Sequence, residues 1–90
     1  MSYSIKGDPV YIRRQGESLA DLALQIEREL NRLDSSINPL RYTFIGQRAG
    51  NFFQQYDQLK GQMYALRDVV RAFSGQLLDA ANRLKAADHS

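Results

Sequence analysis

Chemistry in this chain would have to be built from few parts. Its 90 residues include one histidine, ten aspartates and glutamates and no cysteine. The missing cysteines exclude disulfides, zinc–thiolate sites and thiol catalysis. The single histidine, His89, stands one residue from the end of the sequence, and a ligand or catalytic base needs an enclosing site that a terminus rarely supplies. The carboxylates recur at helix-surface spacing from basic residues: Glu29 with Arg32, Asp57 with Lys60, Asp68 with Arg71, and Asp79 with Arg83. That spacing makes them ion pairs rather than an acid/base couple. No glycine-rich phosphate loop, nucleophile elbow or metal-ligand cluster is present. The expectation is a non-enzyme without cofactor or metal. Nine arginines raise the question of nucleic acid, but the net charge is only +2. The densest basic spots, Arg13-Arg14 and Arg67 with Arg71, are interrupted by Glu17 and Asp68. A solvated face of mixed charge is expected, not a phosphate-binding stripe. No apolar run reaches membrane-spanning length, and Met1 to Gln15 contain no apolar core of a secretory leader.

The elements that would carry these residues are helical. Hydrophobic residues at 43% and charged residues at 24% describe a globular chain, and its length is that of one domain, residues 1–90. Asp8-Pro9 is a helix start: the carboxylate caps free N–H groups, and proline fits the first helical position. Ile12, Leu19, Leu22, Ala23, Ile26, Leu30 and Leu33 follow at spacings of three, four and seven, so a first helix is predicted over about 9–34. Asp34-Ser35-Ser36 and Asn38-Pro39 are breakers, and Pro39 should push Asn38 out of the helical region. The turn is predicted over about 35–44. Beyond it, Ala49, Tyr56, Met63, Val70, Leu77 and Leu84 recur every seven residues. Phe52, Leu59, Leu66, Phe73, Ala80 and Ala87 form a second register, offset by three. No proline interrupts this 4-3 repeat, so the second helix should run over about 45–87. Gly50, Gly61 and Gly75 lie off the seam, and close packing does not explain them. The fold class is all-α: an antiparallel two-helix hairpin with a short turn.

The apolar stripe is broader than one hairpin needs. Phe53, Val69, Tyr64 and Leu78 widen it on the second helix, and Ala23 and Leu30 on the first. A stripe of this width suits two neighbours, and a solitary hairpin buries too little surface for comfortable stability. Pairing of two hairpins into a four-helix bundle, a dimer, is therefore expected. Its seam would use Leu19, Ile26, Leu59, Met63, Leu66, Val70, Phe73 and Leu77. A turn centred near Leu40 would set Leu33 opposite Gln47 and Pro9 opposite Arg71, so the second helix would outrun the first. Phe73, Leu77, Ala80 and Leu84 would then cover Tyr3, Ile5 and Val10, a partner chain, or both.

Phe44-Ile45-Gly46, followed by Ala49 and Phe52 or Phe53, resembles the signature of the WXG family, the early-secreted-antigen-like substrates of type VII secretion. That signature is Trp-any-Gly at a helix–helix turn, then Ala and Phe at helical spacing. Ile5-Lys6-Gly7-Asp8-Pro9 opening into an amphipathic helix is similar too, and the likeness spans essentially the whole chain. The resemblance implies a four-helix bundle as a homodimer, or as a heterodimer with a related chain. It also implies export in the folded state, without a cleaved signal peptide, by an ATPase-driven membrane machine. At the turn, an aromatic would close the end of the seam while the glycine lets the chain enter the second helix. Two departures stand out. Phe44 replaces the Trp and so lacks the indole N–H. The family's export motif, Tyr and an acidic residue four positions later just after the second helix, is missing from the tail Asp88-His89-Ser90. Tyr64 and Asp68 match its spacing, but in mid-helix on an outward face. A partner could carry the signal, or the chain could serve a larger secreted protein as adaptor or chaperone. A structural subunit of a secretion filament is the other class of protein these helices would suit; the needle proteins of type III secretion are similar hairpins with a proline in the turn.

Overall fold

The structure, a computed structural model, describes residues 7–88 and the side chains of residues 7–87. Tyr3, Ile5, Lys6, His89 and Ser90 lie outside the described residues. Three helices follow one another: α1 (Pro9–Ile37), the single-turn α2 (Leu40–Thr43) and α3 (Gln47–Asp88). α1 and α3 lie against each other in antiparallel fashion. The Cα atoms span 66 × 26 × 13 Å, and the thinnest dimension is that of a single layer of helices.

The start of α1 is fixed as its sequence requires. The Asp8 carboxylate accepts the Val10 N–H at 3.0 Å, and Pro9 occupies the first turn. The end of α1 differs from expectation. Asn38 keeps helical angles (φ −57°, ψ −41°), and its N–H still reaches the Asp34 carbonyl at 2.9 Å. Proline disfavours this conformation in the residue before it, but the local hydrogen bonds hold it. The Asn38 and Pro39 carbonyls accept from the Arg41 and Tyr42 N–H groups at 3.1 and 3.2 Å, and Asn38 Oδ1 accepts from Arg41 Nε at 3.2 Å. Pro39 thus opens α2 instead of breaking the chain out of helix.

The reversal falls later, on Phe44-Ile45-Gly46. Phe44 is extended (φ −93°, ψ 102°), and Gly46 takes φ +122°, a value glycine adopts without a Cβ clash. This shift of about five residues along the chain resets the pairing of the helices. Asp34 meets Tyr56, Glu27 meets Arg67, Gly16 meets Ser74 and Arg13 meets Asn82. The expected overhang beyond Arg71 does not exist: the first turns of α1 run beside residues 74–84 of α3. A Cβ on Gly7 would stand 3.3 Å from Leu84 Cδ1, and Arg13 Nη2 donates to Asn82 Oδ1 at 2.8 Å.

The centre of the interface is made mainly of small residues. Gly16, Ala23 and Leu30 are the buried residues of α1, one per heptad. They face Ala49, Tyr56, Ser74 and Ala81 of α3, also buried. Ala23 and Leu30 therefore form the middle of the seam and not its margin. At Gly16 the helices approach so closely that a Cβ would lie 3.0 Å from Leu78 Cγ and Cδ2. Ser74 Oγ donates to the Gly16 carbonyl there at 2.6 Å. Among the described residues, no large side chain is completely enclosed.

Candidate interaction surface

The two flanks of the hairpin differ in chemistry. In an antiparallel pair, residues one step to the same side of each seam meet across the groove. On one flank these are Glu27 and Asp34 of α1 with Lys60, Arg67 and Ser74 of α3. Arg67 Nη1 donates to Glu27 Oε1 at 3.3 Å and its Nη2 to Asp68 Oδ1 at 2.8 Å, while Arg71 Nη2 lies 3.5 Å from Glu27 Oε2. The Arg67 guanidinium also stacks 4.9 Å from the centre of the Tyr64 ring. Two of the four ion pairs expected from spacing, Glu29–Arg32 and Asp79–Arg83, are present. The other two are redirected. Asp57 accepts from Arg41, and Lys60 binds Asp34 instead; Asp68 binds Arg67 and Arg71 turns to Glu27. Antiparallel packing offers Lys60 and Arg71 carboxylates on α1, Asp34 and Glu27, in place of Asp57 and Asp68. Exposed pairs of this kind contribute little stability, but they leave the flank satisfied by its own side chains.

Asp34 is the best-held member of that flank. Its carboxylate accepts from the Tyr56 hydroxyl at 2.9 Å and from Lys60 Nζ at 3.2 Å. Those bonds, Tyr56 first, hold its pKa below the ordinary carboxylate value. Burial, and then the bond to Asp34, push the Tyr56 phenol up to about 12. A phenol raised in the folded state keeps its full contribution below its ordinary value near 10 and loses it as pH climbs toward 12. Asp34, lowered, contributes above its ordinary value of 3.8 and loses that contribution as pH falls below it. Tyr56→Phe should therefore cost about 1–2 kcal/mol at neutral pH. It should also flatten the fall in melting temperature between about pH 10 and 12, as thermal melts across pH will show.

The opposite flank is apolar and unpaired. Leu19 and Ile26 of α1 are half-buried and Leu22 and Leu33 exposed; on α3, Met63 and Val70 are half-buried. Phe52, Leu59, Leu66 and Phe73 stand 38%, 49%, 47% and 53% exposed. They are the second heptad register of α3, and none of them is buried by α1. A groove of about 490 Å³ runs between the helices on this side, lined by Leu22, Ile26, Leu33, Leu59 and Met63 among others. Leu77 continues the register of Met63 and Val70. It is half-buried, and its Cβ lies 3.3 Å from where a Gly16 side chain would begin, so it belongs to the contact between α1 and α3.

The tip of the hairpin gathers the aromatic residues. Phe44 meets both Phe52 and Phe53 edge-on, with ring centres 5.9 and 6.0 Å apart, and those two rings are 5.1 Å from each other. Arg41 covers Phe53 at 4.6 Å and is held by Asp57 at 2.8 Å. Ala49 is buried beneath, and Gly46 supplies the left-handed bend. The turn thus joins Phe44, Gly46, Ala49 and Phe52 in one small unit and adds Phe53. Tyr64 and Asp68 sit far from it. Tyr64 is half-buried and not outward, and both residues are engaged by Arg67 on the charged flank.

Sequence reasoning missed Gly16, Ser74 and Arg67. Gly16 carried a usable signal: it stands one heptad before Ala23 and two before Leu30. Among the described residues, no group of side chains is placed to hold a metal ion and no helix is long and apolar enough to cross a membrane.

The protein is a helical hairpin with a glycine-hinged aromatic turn and one bare apolar flank. Residues 4–89 match the family described as WXG100, proteins of 100 residues with WXG, and the chain belongs to that family. Its members are small helical proteins linked to type VII secretion. No curated protein matches the chain significantly.

Proposed function

We propose that this protein is a non-enzymatic interaction partner in type VII secretion, exported as a four-helix bundle formed with a second hairpin. The bare flank of Phe52, Leu59, Leu66 and Phe73 carries the reading. Half-exposed leucines and phenylalanines along one helix stabilise the chain only when a neighbour covers them. The family's members typically form dimers, which agrees. The small internal core agrees too, because a hairpin sealed mainly by glycine, alanine and serine gains little from its own interface. A filament would need two unlike sticky surfaces, and the exposed apolar residues of mid-α3 share one flank. Export without a cleaved leader, recognition by the membrane ATPase and any signalling role of Tyr64 and Asp68 belong to the same proposal.

The test is secretion. In a host with a type VII apparatus, the protein should reach the medium at its full mass and stay inside cells lacking the membrane ATPase. Phe44→Ala should reduce export at least tenfold while lowering stability by less than about 2 kcal/mol, because Phe44 is 41% exposed and its loss opens no deep cavity. Parallel loss of export and melting temperature would leave the ring with a packing role only.

A further inference from the structure

Three copies of one eleven-residue pattern lie along α3, over residues 50–60, 61–71 and 75–85. Each opens on glycine and an amide, followed by two apolar or aromatic residues. The eighth position is Asp57, Asp68 and Asn82, and the tenth is Leu59, Val70 and Leu84. Each copy ends on a cation: Lys60, Arg71 and Lys85. Eleven residues close three helical turns to within about 20°, and fourteen close four to within about 40°. Equivalent positions therefore share a face, and the three cations stand on the side toward α1.

The third copy breaks the charge balance of the first two. Lys60 pairs with Asp34, and Arg71 lies 3.5 Å from Glu27. Asp34 and Glu27 occupy one heptad position of α1, which continues back through Ala20 to Arg13. Where the third cation meets α1, the helix thus offers Arg13 in place of an acid. The acid of α3 is lost at the same place, since Asn82 replaces Asp57 and Asp68. Lys85 is kept, so both sources of negative charge disappear and the cation remains.

The result is two cations without a counter-ion. Arg13 Nη2 donates to Asn82 Oδ1 at 2.8 Å, so a neutral amide holds the guanidinium and leaves its charge uncompensated. Arg13, Lys85, Pro9 and Val10 line a cavity of about 330 Å³. Nearby acids are engaged elsewhere: Asp8 accepts the Val10 N–H, and Asp79 binds Arg83. Among the described residues, neither Arg13 nor Lys85 forms an ion pair. Residues 1–7 hold no acid that could fill the place. Like charges facing one cavity repel until an anion joins them.

We propose that this end of the hairpin binds an acidic peptide segment of a partner protein. Arg13 and Lys85 pair with its carboxylate, and Pro9 and Val10 take an adjacent apolar side chain. The chain's own ion pairs supply the precedent, because the same two helix faces hold Asp34 and Glu27 further along. The site lies at the opposite end from Phe44 and outside the bare flank, so it stands independently of both. The test follows the Val10 and Lys85 N–H and the Arg13 Nε–H by NMR in the full chain as acetyl-Leu-Glu-Leu-amide is added. Its Gln analogue and inorganic phosphate are the comparison probes. The Glu peptide should bind at least fivefold tighter than the Gln analogue, as one partly exposed ion pair allows. Asn82→Asp restores the acid of the other two copies and should weaken the Glu peptide at least fivefold. Arg13→Gln and Lys85→Gln should each remove most of the preference for Glu, with helical content unchanged by circular dichroism. Equal binding of the two peptides, no shift at millimolar peptide, or undiminished binding by Asn82→Asp would overturn the proposal. Phosphate binding tighter than the Glu peptide would overturn the choice of a carboxylate.

Discussion

With Leu59 and Leu66 both replaced by aspartate, the chain should keep its helical hairpin and lose its association. Each leucine is about half exposed and lies outside the contact between α1 and α3. Covering the rest is worth about 1 kcal/mol per side chain. Two sites in each of two copies give about 4 kcal/mol, roughly a thousandfold in dissociation constant. Desolvation of four introduced carboxylates adds to the loss. Sedimentation equilibrium should show a helical species of monomer mass at concentrations where the parent is paired. An unchanged mass would place the interface elsewhere. Phe73→Asp should act in the same direction, since its ring is 53% exposed. Leu77→Asp should instead unfold the hairpin, because Leu77 is half-buried beside Gly16.

The second large effect is expected inside the hairpin. Gly16→Val should lower stability by about 2–3 kcal/mol in urea titrations. The first added carbon would stand 3.0 Å from Leu78 Cγ and Cδ2 and 3.3 Å from Leu77 Cβ. The helices must separate to admit a branched side chain, and separation stretches the 2.6 Å bond from Ser74 Oγ to the Gly16 carbonyl. The other glycines give the opposite expectation. A Cβ at Gly50, Gly61 or Gly75 meets nothing within 4 Å. Alanine there should raise stability by up to about 1 kcal/mol per site through helix propensity alone. All three lie away from the Phe52–Phe73 ridge, so the gain should not disturb pairing. A Gly16→Val chain as stable as its parent would show that the close crossing is not limiting.

The exposed ridge and the ion-pair flank come from one sequence pattern used twice. Along α3 the first register, Ala49, Tyr56, Met63, Val70 and Leu77, turns toward α1, while the second, Phe52 to Phe73, turns aside. A heptad repeat records that two registers are apolar, and it does not record which neighbour covers each. The place of the second register is taken inside the hairpin by Phe53, Lys60, Arg67, Ser74 and Ala81. Only two of those five are hydrophobic, so periodicity pointed to the other side.

The two helices, the Asp8-Pro9 start and the unbroken second helix were legible in the amino-acid order alone. These follow from local forces: capping and the period of apolar residues act within a few residues of chain. Where the chain reverses, how the helices are registered and which flank is left bare emerge from the packing of α1 on α3. Asn38 remains helical before Pro39 because hydrogen bonds outweigh a steric preference, and that moves the bend to Phe44-Ile45-Gly46. Every later contact moves with it: Pro9 lies near the far end of α3, Gly16 meets Ser74, and Asp34 is claimed by Tyr56 and Lys60. Register depends on the sum of many contacts between residues distant in sequence, and no local pattern carries that sum.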